Sequence, residues 1–552
     1  MKQSAVVVAT LTLVAVALAA CPAPTPQVIE VPREVVVEKK VIETVEVEKE
    51  VVVEKEVVVT ATPSLPEGKT ELRIRMNQDP TNLNPQAHTG FYAAQIFRGV
   101  FDTLVDYDET GEMVPGLAES WSIAEDGKAI TFELRDGVRF HDGTDFDAEA
   151  VKFNIDMGID PDRPGGATAD WRSIERVEVV SPLSVRFVLS QPDATILHAL
   201  MGWPFTGFIV SPTAYETLGP DDFARNPVGT GPFKFVKWEE NVEVVLERNP
   251  DYWQEGLPNV EKVVWRLIPD SMVASLNLAA GEVDIVPSVE ASQMQALANV
   301  PGVEFEVQPP VLQYYLLLNT RRPPFDLLAN REALYYALDI VAIIDVAYSG
   351  YGLPGQGLLA PTSWAYDPSM PAIKRDLDMA KAKLAEAGNA DGFEFTISMI
   401  PTPIWLQMGQ IMQASLAEVG IEMDIQQNER ARHIEILQMD HATEAFIGGM
   451  GRVFPNPEGF FLGGARFECD VDWFSGYCNP DYDELLAKAP TTFDVDERKA
   501  MLQQLNQILQ RDLPLVSLVY VQDMDAYNAD KVVGYGPRDA LGGLSWRWLS
   551  VK

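Results

Sequence analysis

A chain of 552 residues carrying a formal net charge of −38 repels nucleic acid and anionic membrane surfaces, which excludes both as partners of its main body. With 47% hydrophobic and 22% charged residues it has an ordinary globular balance, and its length allows several domains with sizeable cores. The charge itself reads as solubility rather than as an acidic binding surface.

In chain order, residues 1–21 start with Lys2, run apolar from Ala5 to Ala20 and end Leu18-Ala19-Ala20-Cys21. That run is short for a spanning helix and reads as an export signal. Its ending resembles a bacterial lipoprotein cleavage box, so cleavage before Cys21 would leave a lipidated amino terminus. Residues 22–70 read as a low-complexity tether. Val and Lys occupy its odd positions (Val35, Val37, Lys39, Val41) and Glu many of its even ones (Glu34, Glu38, Glu46, Glu48). Period two with β-branched residues predicts an extended stalk. The repeat VVVEKE has six residues and fits no heptad.

The body opens with Leu72, Ile74 and Met76 alternating in a first strand. Between Met113 and Gly143, Ile130, Phe132 and Leu134 alternate with Thr131, Glu133 and Arg135. Asp126-Gly127 separates that run from Glu119–Ile123, which predicts a hairpin. Asp147 is placed to cap a helix through Ala148, Val151 and Ile155. The stretch reads as a β-meander over a buried Trp121. Ser184–Ser190 predicts another strand, and Asn226–Trp238 a Gly/Pro turn feeding a strand. Ala274–Ala280 predicts a helix ended by Gly281. Ala333, Tyr336, Ala337 and Ile340 share one helical face. Helices follow at 378–388, 406–419, 482–488 and 496–510. Strands are predicted at 393–397, 421–425 and 514–520, the last of these the final strand before the tail.

Chemical motifs are scarce. Neither G-x-S-x-G nor H-E-x-x-H occurs. Gly350–Gly355 formally matches G-x-G-x-x-G, but Pro354 would interrupt a helix start, so an ordinary loop is expected. Gly68-Lys69-Thr70 has Pro63 where a phosphate loop needs its first Gly. The histidines His88, His141, His198, His433 and His441 lack tight ligand spacing, so no metal, cofactor or catalytic residue is expected. Cys469 and Cys478 lie close together in an exported chain, which favours a disulfide over a reduced buried pair.

The stretches that carry a resemblance are Asp79–Pro85; Pro115–Trp121 with Glu125–Gly127 and Phe132–Gly143; Asn226–Trp238; Asn249–Trp253; Gly256–Trp265; and Asn319 to Asp339. They resemble the family 5 extracellular solute-binding proteins, the oligopeptide-, dipeptide- and nickel-binding components of bacterial ABC importers. The resemblance runs from residue 71 to the carboxyl terminus. It implies an α/β, periplasmic-binding-protein-like fold: two α/β lobes around a ligand cleft plus an extra domain, preceded by the signal peptide and stalk. The implied map is lobe I at 71–98, 191–312 and 514–552, domain II at 99–190, and lobe III at 313–513. The partners implied are a peptide- or oligosaccharide-like solute and the permease subunits, for a monomer tied to the membrane through its lipid anchor only. A secreted hydrolase with a deep cleft and a stalked surface adhesin are the rival readings. The first lacks a nucleophile motif, and the second predicts no enclosed ligand.

Wall residues of the implied cleft are Thr89, Phe91, Trp203, Trp405, Arg430, Met450, Arg452 and Phe454. A position between two of them departs from the family pattern. Peptide-binding members place an Asp a few residues before an Asp/Glu-Pro pair to take the peptide's amino group. Aligning that pair with Asn456-Pro457 puts Val453 at the Asp position. Val cannot pair an ammonium group, and loss of one partner of a buried charge pair costs about 3–5 kcal/mol.

Overall fold

The computed structural model describes residues 70–552 except 88–90, 109–111, 161–170, 203–205, 311, 373, 452–465 and 537–548. The export signal, Cys21 and the stalk expected ahead of the body lie outside the described residues.

Three large sheets organise the body. The seven-stranded sheet is built on Glu71–Met76, whose Leu72 and Ile74 are fully buried. Lys262–Leu267 and Ile285–Val286 flank it, both parallel. Parallel strands occur where both faces of a sheet are covered, and the buried Val263-Val264-Trp265 run suits that setting. Antiparallel Glu243–Arg248 and Phe233–Glu239 extend one side, Met524–Asn528 and Val303–Val307 the other.

The four-stranded sheet runs Ala118–Ile123, Ala129–Leu134, Ser184–Leu189, Ile174–Ser181. The predicted hairpin is present. Gly127 takes the turn at φ 67°, and Ile130, Phe132 and Leu134 point into the core. Trp121 is half-buried rather than buried. It faces Phe132 from an edge strand, where one flank has no neighbour to cover it. Asp147 caps the helix Ala148–Ile159, its side chain accepting from the Ala150 amide at 2.9 Å.

The six-stranded sheet runs Gly352–Pro354, Leu515–Val521, Leu312–Leu318, Ala445–Gly451, Glu394–Met399, Glu422–Gln427. A core lies on each face: Leu316 and Leu318 enter one, Tyr315 and Leu317 the other. Burial on both sides explains why every residue of Leu515–Val521 is apolar or small and buried. Three expectations change here. The Gly350–Gly355 stretch is not merely a loop; its centre is an edge strand, the place where Pro354 is tolerated. Leu515–Val521, expected with lobe I, pairs inside this sheet instead. Nor is it the last strand, because Met524–Asn528, Val532–Val533 and Ser550–Val551 follow. Cys469 and Cys478 are disulfide-bonded, with Cα atoms 4.2 Å apart.

The family-like stretches Phe132–Gly143 and Asn226–Trp238 meet at one joint between the four- and seven-stranded units. The Gly231 amide donates to the Val100 carbonyl at 3.0 Å, and the His141 amide to the Gly229 carbonyl at 2.8 Å. A Cβ on Gly231 would lie 2.5 Å from the Val100 carbonyl carbon, so glycine alone allows this approach. Asp102, at the end of the helix Phe91–Val100, accepts from Thr230 Oγ1, Tyr252 OH and Trp253 Nε1 at 2.8–3.0 Å. Burial pushes its carboxyl up from the usual range while those donors pull the other way.

Candidate ligand cleft

The described chain passes between the seven- and six-stranded sheets at two places, from Val307 to Leu312 and from Val521 to Met524. The crossings bond to each other, with the Gln308 amide donating to the Asp523 carbonyl at 2.8 Å. Ser288 Oγ donates to the Asp523 carboxylate at 3.0 Å, and Thr362 Oγ1 to the Pro310 carbonyl at 2.9 Å.

Strand register fixes what faces these crossings. In the six-stranded sheet Leu312 pairs with both Gly451 and Val521. Glu394–Met399 is parallel to Ala445–Gly451 and to Glu422–Gln427. The carboxyl ends Met399, Gln427 and Gly451 therefore all lie on the crossing side. In the seven-stranded sheet Val307 pairs with Met524, and Val286 with Ala526. Met76, Leu267 and Val286 thus end on the crossing side too. Ligands of α/β sheets bind outside the carboxyl ends of parallel strands, and here two sets of such ends converge on one pair of crossings.

An aromatic corner occupies this end of the six-stranded sheet. Trp405 is the third residue of the helix Pro403–Ala417, whose cap Thr402 accepts from the Trp405 amide. Its half-buried indole meets the Tyr314 ring edge-on at 5.9 Å and the His433 ring at 5.6 Å. Tyr348 stacks on Tyr314 at 6.1 Å. His433 stacks on Phe446 at 3.9 Å and has both ring nitrogens engaged, by Ser398 Oγ at 2.9 Å and the Ile447 carbonyl at 3.1 Å. Because a carbonyl only accepts, Nε2 carries the proton, and Nδ1 accepts from the Ser398 hydroxyl. Burial holds this imidazole down to about 4, against the pull of its Ile447 hydrogen bond, so it is neutral. Half-exposed aromatic faces on a fixed frame can stack on the apolar faces of a polar solute.

Of the expected wall residues, Trp405 sits in this corner. Arg430 is exposed and opens the short helix Arg430–Glu435, three residues beyond Gln427. Met450 pairs with Gln313 in Ala445–Gly451, and Phe91 opens the helix Phe91–Val100, but their side chains lie outside the described residues. Thr89, Trp203, Arg452 and Phe454 also lie outside them. Tyr314 and Tyr348 were not anticipated, although Gln313-Tyr314-Tyr315 interrupts an aliphatic run and could have signalled an aromatic surface. His433 and His441 share no role: His441 faces the Asp472 carboxylate at 3.3 Å. Among the described residues no group of three or more His, Cys, Asp or Glu is placed to hold a metal, and no helix is long and apolar enough to cross a membrane.

The profile described as bacterial extracellular solute-binding proteins, family 5 Middle, matches residues 112–465. Glutathione-binding protein GsiB of Salmonella paratyphi A is 29% identical over 489 residues, covering 85% of this chain and 92% of that one. HbpA2 from Haemophilus parasuis superposes with a TM-score of 0.80 at 25% identity, over 87% of this chain and 100% of its own. The dipeptide-binding protein from Pseudoalteromonas sp. SM9913 in complex with Met-Leu gives 0.69 at 28% identity, over 87% and 100%.

Proposed function

The chain belongs to the bacterial extracellular solute-binding proteins of family 5, the substrate-binding components of ABC importers, and from that premise we propose how it takes its solute. The convergence of two sets of strand carboxyl ends on a pair of bonded crossings carries the reading. The solute enters at those ends, the crossings act as the hinge, and the closed form docks on the permease. Closure is driven by the difference in solute affinity between open and closed states.

The solute is peptide-like or oligosaccharide-like and needs no free α-amino group. Val453 stands where peptide-binding members hold an Asp, and the adjacent Arg452 suits a carboxylate or sugar hydroxyls. The relatives span related chemistry: one is named for glutathione, and another was solved with Met-Leu. Calorimetry against di- to pentapeptides, their N-acetylated forms and an oligosaccharide panel tests this. Acetylation is expected to leave any peptide affinity within a fewfold. Tight binding of free-amino peptides that acetylation abolishes would refute the role given to Val453.

The protein acts as a monomer outside the cytoplasm, lipid-anchored at Cys21 behind its stalk. Cys21→Ser is expected to move it from the membrane pellet to the soluble fraction. Retention in the pellet would refute the anchor.

A further inference from the structure

We propose that the four-stranded unit clasps the six-stranded unit through contacts separate from the crossings, and that this clasp sets how far the hinge is closed. The inference rests on the hinge reading above but not on any identity of the solute.

Three contacts make the clasp. The Ala194 amide donates to the Pro490 carbonyl at 2.7 Å. His198, in the short helix Ile196–Ala199, lies parallel to the Trp364 indole, with centroids 6.1 Å apart and planes within 7°. Phe493, between the helices Pro480–Lys488 and Val495–Asp512, packs into the core of the four-stranded unit. There its ring meets the hairpin turn, since a Cβ built on Gly127 would stand 3.1 Å from Phe493 Cε2 and 3.0 Å from Pro192 Cβ. A larger residue at this positive-φ turn would be strained and would also push Phe493 away.

The surface is built rather than incidental. Arg498 places its guanidinium 5.0 Å over the Trp364 ring. His198 and Arg498 are 5% and 4% exposed. Burial, with Arg498 close by, keeps the His198 imidazole neutral, so two rings and one cation pack without a second buried charge.

The mechanics follow from connectivity. The four-stranded unit is fixed to the seven-stranded one through Asp102, His141 and the Asn154 side chain, which donates to the Val210 carbonyl at 2.9 Å. Trp364, Pro490, Phe493 and Arg498 lie beyond the first crossing and before the second, with the six-stranded sheet. Rotation about the crossings must therefore slide or break this packing. A contact made in one state and lost in the other biases the equilibrium between them, wherever the solute sits.

Small-angle X-ray scattering of solute-free protein tests the clasp, with Phe493→Ala and Trp364→Ala beside the wild type. Each is expected to raise the radius of gyration, as the equilibrium moves about tenfold toward the open form. Circular dichroism checks that both remain folded. Oxidising an Ala194→Cys/Pro490→Cys pair in the Phe493→Ala background is expected to restore the compact profile, which would not happen if the substitution had simply unfolded the chain. Folded variants with an unchanged profile, or expansion that the cross-link fails to reverse, would overturn the proposal.

Discussion

Replacing Asp284 with alanine is expected to destabilise the body by about 3–5 kcal/mol, because it leaves two cations facing a buried space that has lost its carboxylate. The Asp284 side chain is wholly buried. Arg73 gives it its backbone amide at 2.8 Å, Nε at 3.2 Å and Nη2 at 3.0 Å. Lys531 Nζ donates to the carboxylate at 2.7 Å, on the oxygen that also accepts from the Arg73 amide and Nε. One carboxylate thus ties the first strand of the body to its carboxyl-terminal segment, and the Asn528 amide donates to the Asp284 carbonyl at 2.9 Å. The Arg73 and Lys531 side chains keep 20% and 28% of their exposure, so partial rehydration puts the effect toward the lower end of that range. Asp284→Asn keeps an acceptor and is expected to cost less. Urea midpoints followed by circular dichroism give the comparison. An alanine variant with the wild-type midpoint would show that this network does not hold the sheet.

That network also shows where sequence reading stops. The alternation of Ile130, Phe132 and Leu134 around Asp126-Gly127 is a local signal, and the hairpin it predicts is there. The bond between Arg73 and Asp284 spans 211 residues, and no local pattern announces it. Leu312–Leu318 and Leu515–Val521 are buried on both faces, so their apolar runs carry no period from which a face could be assigned. Met524–Asn528 mixes Asp525 and Asn528 among its residues and was read as tail; its partners, not its own pattern, make it a strand. The family-like stretches are the most legible part of the chain, and His141 and Gly231 within them join two units. Trp405 is named as a wall residue through the resemblance, whereas Tyr314 and Tyr348 depend on packing between distant segments. Thr89, Trp203, Arg452 and Phe454 come from stretches without periodicity and rest on the resemblance alone.

Acid should unfold the body through its buried histidines, with several kcal/mol lost between pH 6.5 and 4. Burial, the largest cause in each case, holds His141 and His433 down to about 4 and His198 to about 3. His141 resembles His433 in having both nitrogens engaged, by the Gly231 carbonyl at 2.9 Å and the Gly229 amide at 3.4 Å, which fixes the neutral tautomer. The sign follows from which state binds the proton first. An unfolded histidine titrates near 6.5, so below that pH the unfolded chain gains protons that the folded chain refuses. The stability is therefore complete above 6.5 and drains away as pH falls toward the folded values. Each histidine steepens the fall by at most about 1.4 kcal/mol per pH unit, and roughly 1–3 kcal/mol each is a realistic total. Carboxylate protonation opposes the loss toward the lower end by relieving the repulsion of a −38 chain. Urea midpoints from pH 7.5 to 4.5 measure the balance, and His433→Gln isolates one contribution. A glutamine amide can still donate to the Ile447 carbonyl and accept from Ser398, but it has no proton to take up in the unfolded state. Its stability curve should be flatter than wild type by about one proton's slope between pH 6 and 5. Parallel curves for the two proteins would rule out His433 as a source of acid sensitivity.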